Sequence, residues 1–173
     1  MNRLFTIISL ATLFGVPASV AGAEEPRIYG WVENGLILPE NVQVKAKLDT
    51  GAKTSALAAR GLERFEHRGE PWVRFKLKAR SEESGEKGHL TFERKVVDEV
   101  KVQTLGGTET RPVVVMAVCV GERRYEERFV LNNKTKAKYA LLLGRQTLER
   151  MGPVDANKRF TVKPACVAPA IAR

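Results

Sequence analysis

Apolar and polar residues alternate along residues 42–48. Val42, Val44, Ala46 and Leu48 share one face, and Gln43, Lys45 and Lys47 the other. A two-residue period is that of a strand with one buried face. The same period returns at Val73, Phe75 and Leu77, which alternate with charged residues. Residues 113–120 are apolar on both faces, the pattern of a strand buried in the middle of a sheet. Shorter strands are expected at 28–32, 36–38, 89–93, 123–131, 139–144 and 159–162. Turns are expected at Glu33-Asn34-Gly35, Arg68-Gly69-Glu70-Pro71 and Pro153-Val154-Asp155. Two stretches read as helix: residues 145–151, and the alanine-rich 53–62, stopped near Gly61. The pattern is mainly β with one or two short helices, and no segment repeats.

The first 23 residues stand apart from this pattern. A short positive start ending at Arg3, an apolar run from Leu4 to Val16 and the small residues Ala21-Gly22-Ala23 are the three parts of a signal peptide. The apolar run is too short to span a bilayer comfortably, and no cysteine stands near the cleavage point to suggest a lipid anchor. The mature chain is therefore expected to begin at Glu24, in the periplasm or outside the cell, with no stable membrane insertion. About 150 residues remain, enough for one domain with a proper core and too few for two. That domain is expected over 24–162, with a loose tail over 163–173.

Charge and special residues narrow the chemistry. The full chain carries +9, and loss of Arg3 with the leader leaves 28 basic against 20 acidic residues, or +8. A basic exported domain suits acidic partners, although a solvated basic surface gives the same balance. No nucleic-acid partner is expected. Arg74, Lys76, Lys78 and Arg80 fall on one strand face; this stripe either is solvated and blunts edge pairing, or attracts an acidic substrate or partner. Cys119 and Cys166 are the two cysteines, and in an oxidising compartment either a disulfide or two thiols is open. His67 and His89 are the two histidines. There is no His-Glu-x-x-His, no Cys-x-x-Cys and no Gly-x-x-x-x-Gly-Lys-Ser/Thr, so neither a metal nor a nucleotide cofactor is expected, and activity should survive chelators.

The candidate chemistry lies where the 42–48 strand ends, at Asp49-Thr50-Gly51-Ala52. Asp and Gly are ordinary turn residues, so a plain turn is one reading. In the other, Gly51 allows a sharp bend while Asp49 projects its carboxylate from the strand end. Downstream, the apolar Leu142-Leu143 runs through Gly144 and Arg145 into a helix. A strand into Asp-Thr-Gly-Ala, with a later apolar-apolar-Gly-Arg entering a helix, resembles the retropepsin-like aspartic peptidases. The likeness is greatest to a bacterial branch often labelled "ATP-dependent zinc protease". It is carried by Leu-Asp-Thr-Gly-Ala-Lys-Thr-Ser-Ala-Leu at 48–57, Trp-Val-Arg-Phe at 72–75 and Leu-Leu-Gly-Arg at 142–145, and spans roughly 28–162. Ala58, where that branch often has histidine, and residues 132–140 depart from its pattern and leave substrate preference open.

The resemblance implies a single-domain acid-protease β-barrel with Asp49 catalytic and Thr50, Gly51, Ala52 and Gly144 supporting its loop. Two carboxylates sharing one proton are needed, one to take a proton from water and one to donate to the scissile carbonyl. Neither Asp98 nor Asp155 is followed by Thr/Ser-Gly, so the dyad implied is that of a twofold homodimer acting on a peptide or protein substrate. Thr50 would then bond across the interface, Gly144 would admit the strand beneath the loop, and Arg145 would anchor its helix by a salt bridge. A glycine-tipped flap is implied as well, for which the 68–71 turn and the polar 81–88 loop are both candidates. The competing expectation is a non-catalytic binding module of the same fold that docks an acidic peptide or a cell-envelope ligand.

Overall fold

The chain opens into a strand, β1 (Tyr29–Leu38), and turns at once into β2 (Val42–Leu48). The computed structural model describes residues 27–81, 85, 87–104, 106–133 and 137–166. The expected leader, the tail beyond Cys166 and half of the 81–88 flap candidate, residues 82–84 and 86, lie outside them. After β2 come β3 (Ser55–His67), β4 (Glu70–Ser81), β5 (Lys87–Thr104), β6 (Gly107–Val120), β7 (Arg123–Asn133), β8 (Leu141–Leu143), α1 (Arg145–Met151) and β9 (Val154–Arg159).

These strands form one nine-stranded sheet in the order β4-β5-β6-β7-β3-β8-β2-β1-β9. Further pairings of β4 with β3 and with β2, and of β6 with β1, wrap the sheet around on itself. The fold is mainly β, as expected, with one helix among the described residues. β6 is its centre: its first half pairs with β5, its second half with β1, and its whole apolar run with β7. Val114, Met116, Val118 and Val120 are buried in the main core, while Ala117 and Cys119 face a second, smaller cluster with Leu38. The main core also takes in Phe75, stacked on Phe92 at 5.9 Å, together with Leu77, Phe129, Leu131, Leu141 and Leu143.

Three local expectations are corrected. Residues 53–62 are not helical: Ser55, Leu57 and Ala59 are buried on one face of β3. Alanine favours helix only weakly, and here β7 and β8 offer ladder partners on both sides. The strand then bulges between Arg60 and Glu63, where Gly61 has φ +58°. Glu33-Asn34-Gly35 is no turn but the middle of the continuous β1. The last strand is β9, which begins at Val154 where a turn over Pro153-Val154-Asp155 was expected, runs earlier than 159–162 and pairs in parallel with β1.

Glu33 explains the second and third corrections together. It is fully buried. Its Oε1 accepts the Gly30 N–H at 2.7 Å and the Thr161 N–H at 3.0 Å, and its Oε2 accepts the Val162 N–H at 3.2 Å. A turn there would surrender these charge-assisted bonds, which fasten residues 160–162 over β1. In Glu33→Gln the amide NH2 must face a backbone N–H, leaving donors unpaired. We expect a loss of about 2 kcal/mol, read as a lower urea midpoint at unchanged slope.

The segment from Lys163 is held as far as Cys166. The Ala165 N–H donates to Gly121 O at 2.7 Å, and Cys166 is disulfide-bonded to Cys119, 47 residues away. A crosslink of that span restrains the unfolded chain by about 4 kcal/mol on the loop-entropy scale. No helix among the described residues is long and apolar enough to cross a membrane.

Candidate active site

Asp49 leaves the end of β2 and is fixed through its backbone. Its N–H donates to Leu143 O at 2.8 Å, and its carbonyl accepts the Ala52 N–H at 3.2 Å. β2 runs parallel to β8 with Leu48 opposite Leu143, so the short apolar strand holds the loop from beneath. The first N–H groups of α1 complete the cradle. Arg145 N donates to Ala52 O at 2.8 Å and Gln146 N to Lys53 O at 3.2 Å. These are donors that a helix cannot satisfy within itself.

Gly144 makes this approach possible. A Cβ on it would stand 2.6 Å from both the carbonyl carbon and the oxygen of Thr54 and 2.9 Å from the carbonyl carbon of Lys53. The backbone atoms that carry the loop and those that enter the helix are in direct contact there. Two buried hydroxyls tighten the join. Ser55 Oγ accepts the Gly144 N–H at 3.0 Å and shares a 2.7 Å hydrogen bond with Thr147 Oγ1. Neither hydroxyl was singled out from the sequence. Their signal was a small polar residue on an apolar face, Ser55 in phase with Leu57 and Ala59, and Thr147 beside Leu148 and Met151.

The side chain of Asp49 is about a fifth exposed. Its Oδ1 accepts the Gly51 N–H at 3.1 Å, and its Oδ2 accepts from Lys47 Nζ at 2.9 Å. The Lys47 ammonium holds the Asp49 carboxyl below its ordinary range; partial burial opposes this, and the Gly51 N–H adds to it. Gly51 is not in the left-handed region that its type permits. What it supplies is room, since a Cβ there would press to 3.3 Å on Asp49 Oδ1. Thr50 is exposed at the loop tip. Among the described residues Arg145 makes no salt bridge; it donates to the Thr50 carbonyl at 2.9 Å. Ala52 is half-buried and binds through its backbone.

The other candidate aspartates are engaged elsewhere. Asp98 accepts from Arg128 at 2.6 Å, and Asp155 accepts the Asn157 N–H at 2.8 Å and pairs with Lys158. Nor do the described residues fit a zinc centre: no three of His, Cys, Asp and Glu converge among them. His67 packs edge-on against Trp72.

The basic stripe is real and unevenly neutralised. Arg74, Lys76, Lys78 and Arg80 are all exposed. Arg74 is paired with both Glu93 and Glu63. At the other end Lys78 and Arg80 open onto a hollow of about 540 Å³, lined also by Lys45, His89 and Lys138 and, among the described residues, by no carboxylate. A smaller hollow of about 160 Å³ adjoins it through Lys138 and Ala140 and reaches Lys47, beside Asp49.

A wrapped β-sheet with a strand-end Asp-Thr-Gly loop, cradled by a Gly-Arg helix start, defines a retropepsin-like protein. The chain belongs to the RimB-like family, described as "Retropepsin-like aspartic endopeptidase RimB", whose model matches residues 28–165. It is 33% identical over 118 residues to a "Probable alpha-L-glutamate ligase" of Shewanella pealeana, covering 68% of this chain and 25% of that protein. A protein of the same name from Desulfotalea psychrophila is 27% identical over 61% of this chain and 22% of its own length. The chain thus spans about a quarter of these relatives. A crystal structure from Legionella pneumophila, a protein of unknown function (DUF785), matches with TM-score 0.65 and 33% identity, over 81% of this chain and all of that one.

Proposed function

We propose that the protein is an aspartic endopeptidase that acts as a twofold homodimer, the Asp49 carboxylates of two copies sharing one proton at the axis. The observation that carries this reading is the cradle under Asp49. β8, Gly144 and the start of α1 fix a loop whose tip, Thr50, and whose carboxylate stay accessible. The charged Asp49 takes a proton from water as it attacks the scissile carbonyl, and the neutral one donates to the carbonyl oxygen. One carboxylate cannot hold both roles, and Asp98 and Asp155 are engaged with their own cations and amides. A second copy is therefore required.

The substrate is an acidic peptide. Support comes from the hollow that runs toward Lys47, whose charged lining among the described residues is basic, and from the glutamate ligase name of longer relatives that share this segment. The protein works outside the cytoplasm, for which the leader pattern and the Cys119–Cys166 disulfide speak. The same hollow also favours a second reading, a binding module that holds acidic peptides without cutting them.

Dilution separates these readings. Light scattering should give a dimer at micromolar concentration, and the specific activity on a glutamate-rich peptide should fall as the protein is diluted through its dissociation constant. A monomer with concentration-independent activity would overturn the shared dyad. Peptide binding without hydrolysis at any concentration would leave the binding module.

A further inference from the structure

We propose that Lys47 recognises an acidic side chain next to the scissile bond, and that in turning to it Lys47 releases Asp49 for catalysis. This rests on the peptidase reading above. It makes Lys47 a specificity residue that also positions the charge state of the dyad, a role the sequence pattern alone did not suggest.

Three observations carry it. First, Lys47 Nζ lies 2.9 Å from Asp49 Oδ2. A scissile carbonyl must come within contact of that oxygen, so the side chains flanking it pass within reach of the ammonium. Second, the hollow beside the pair is open because its walls are short. Ala56, Ala58 and Leu142 line it, and Ala56 pairs with Leu142 across β3 and β8. Among the described residues its lining holds two cations, Lys47 and Lys138, and no carboxylate. Lys138 is drawn aside over the Tyr139 ring, 5.6 Å from its centroid. That leaves Lys47 as the cation nearest the reacting group. Third, the Lys47 side chain is more than a third exposed, so it can swing without disturbing the core.

The chemistry gives this placement a consequence. A dyad works only with one proton held between its two carboxylates. An ammonium bonded to each Asp49 opposes that proton, because it stabilises the charged form of both. Lys53 in the loop and Arg145, held at the Thr50 carbonyl, add further positive charge. A substrate carboxylate entering the hollow offers Lys47 an equivalent partner, so Lys47 exchanges one ion pair for another while Asp49 regains its affinity for the shared proton. Recognition and activation become one movement. A glutamine in the same place fills the hollow but leaves Lys47 where it is.

The test uses matched peptides carrying Glu, Gln or Lys beside the scissile bond, against the wild type, Lys47→Met, Lys47→Arg and Lys47→Glu. The wild type should favour Glu over Gln by about tenfold or more in kcat/KM, as expected for a site that loses a charge-assisted bond. Lys47→Met should erase the preference, Lys47→Arg should retain it, and Lys47→Glu should turn it toward the Lys peptide. In the wild type the acid limb of kcat should lie at higher pH on the Glu peptide than on the Gln peptide. In Lys47→Met the two limbs should coincide, whereas a titration of the peptide's own carboxyl would persist. Calorimetric binding of the same peptides completes the test. If Lys47→Met keeps the Glu preference in both cleavage and binding, the assignment of Lys47 fails while the peptidase stands. If nothing is cleaved yet Glu-selective binding is lost in Lys47→Met, the peptidase reading fails and Lys47 is still the carboxylate reader. If the wild type neither cleaves nor selects, both fall.

Discussion

Asp49→Asn will lower kcat/KM for peptide hydrolysis by about 10⁴-fold or more, the scale of losing an essential acid–base group, and will leave the domain folded. The amide keeps the size of the carboxylate, and its oxygen can still accept the Gly51 N–H that Asp49 Oδ1 accepts at 3.1 Å. The backbone bonds of the loop, to Leu143 and from Ala52, do not involve the side chain. What is lost is the titratable group. The variant should also suppress the wild type on mixing. With random pairing, a threefold excess of Asp49→Asn leaves about a quarter of wild-type chains facing another wild-type chain, and activity should fall to about that level. Hydrolysis that persists in the purified variant would reduce Asp-Thr-Gly to an ordinary turn. Additive activity on mixing would remove the shared dyad while keeping a catalytic Asp49.

Gly144→Ala will lower stability by about 3 kcal/mol, the upper part of the overpacking range, and the melting temperature by roughly 10 °C for a domain of this size. The new Cβ meets backbone, not a side chain that can rotate away: Thr54 carbonyl carbon and oxygen at 2.6 Å, and Lys53 carbonyl carbon at 2.9 Å. Relief requires the Lys53–Thr54 backbone to move, and with it the carbonyl of Lys53 that accepts from Gln146 and the Ser55 hydroxyl that accepts from Gly144. Activity should therefore drop further than the unfolded fraction explains, because the displaced segment continues directly from the Asp49 loop. Gly88→Ala is the control. No heavy atom lies within 4 Å of a Cβ there, and its stability should stay within about 0.5 kcal/mol of the parent. A Gly144→Ala variant as stable as that control would mean that the loop and helix are not packed as tightly as the contact distances require.

Much of the fold was legible because period-2 patterning is local. Val42 to Leu48, Val73 to Leu77 and the doubly apolar 113–120 could each be assigned as strands from the chain alone. The Arg68–Gly69 turn was equally local, since both residues take positive φ, 53° and 75°. The misread segments were those whose conformation depends on a distant partner. Residues 55–62 are alanine-rich, but β7 and β8 decide their state through ladder bonds to residues 129–133 and 141–142. Glu33 in a Glu-Asn-Gly triplet has every local mark of a turn, and the amides of residues 161 and 162 hold it in a strand.

The candidate site divides along the same line. A carboxylate at a strand end, a glycine beside it and a second apolar-Gly-Arg segment are visible as residues, and the sequence by itself determined that they belong to a retropepsin-like chain. Only the tertiary structure decided what binds them. It set Gly144 against Thr54, gave Arg145 to the Thr50 carbonyl in place of a carboxylate, and buried Ser55 against Thr147 across 92 residues of chain. It also paired Lys47 with Asp49, although the two are separated by a single residue. Successive strand positions alternate sides, so i and i+2 share a face. Whether their side chains meet depends on the turn that follows, and that turn is held by β8 and α1 from the far end of the chain.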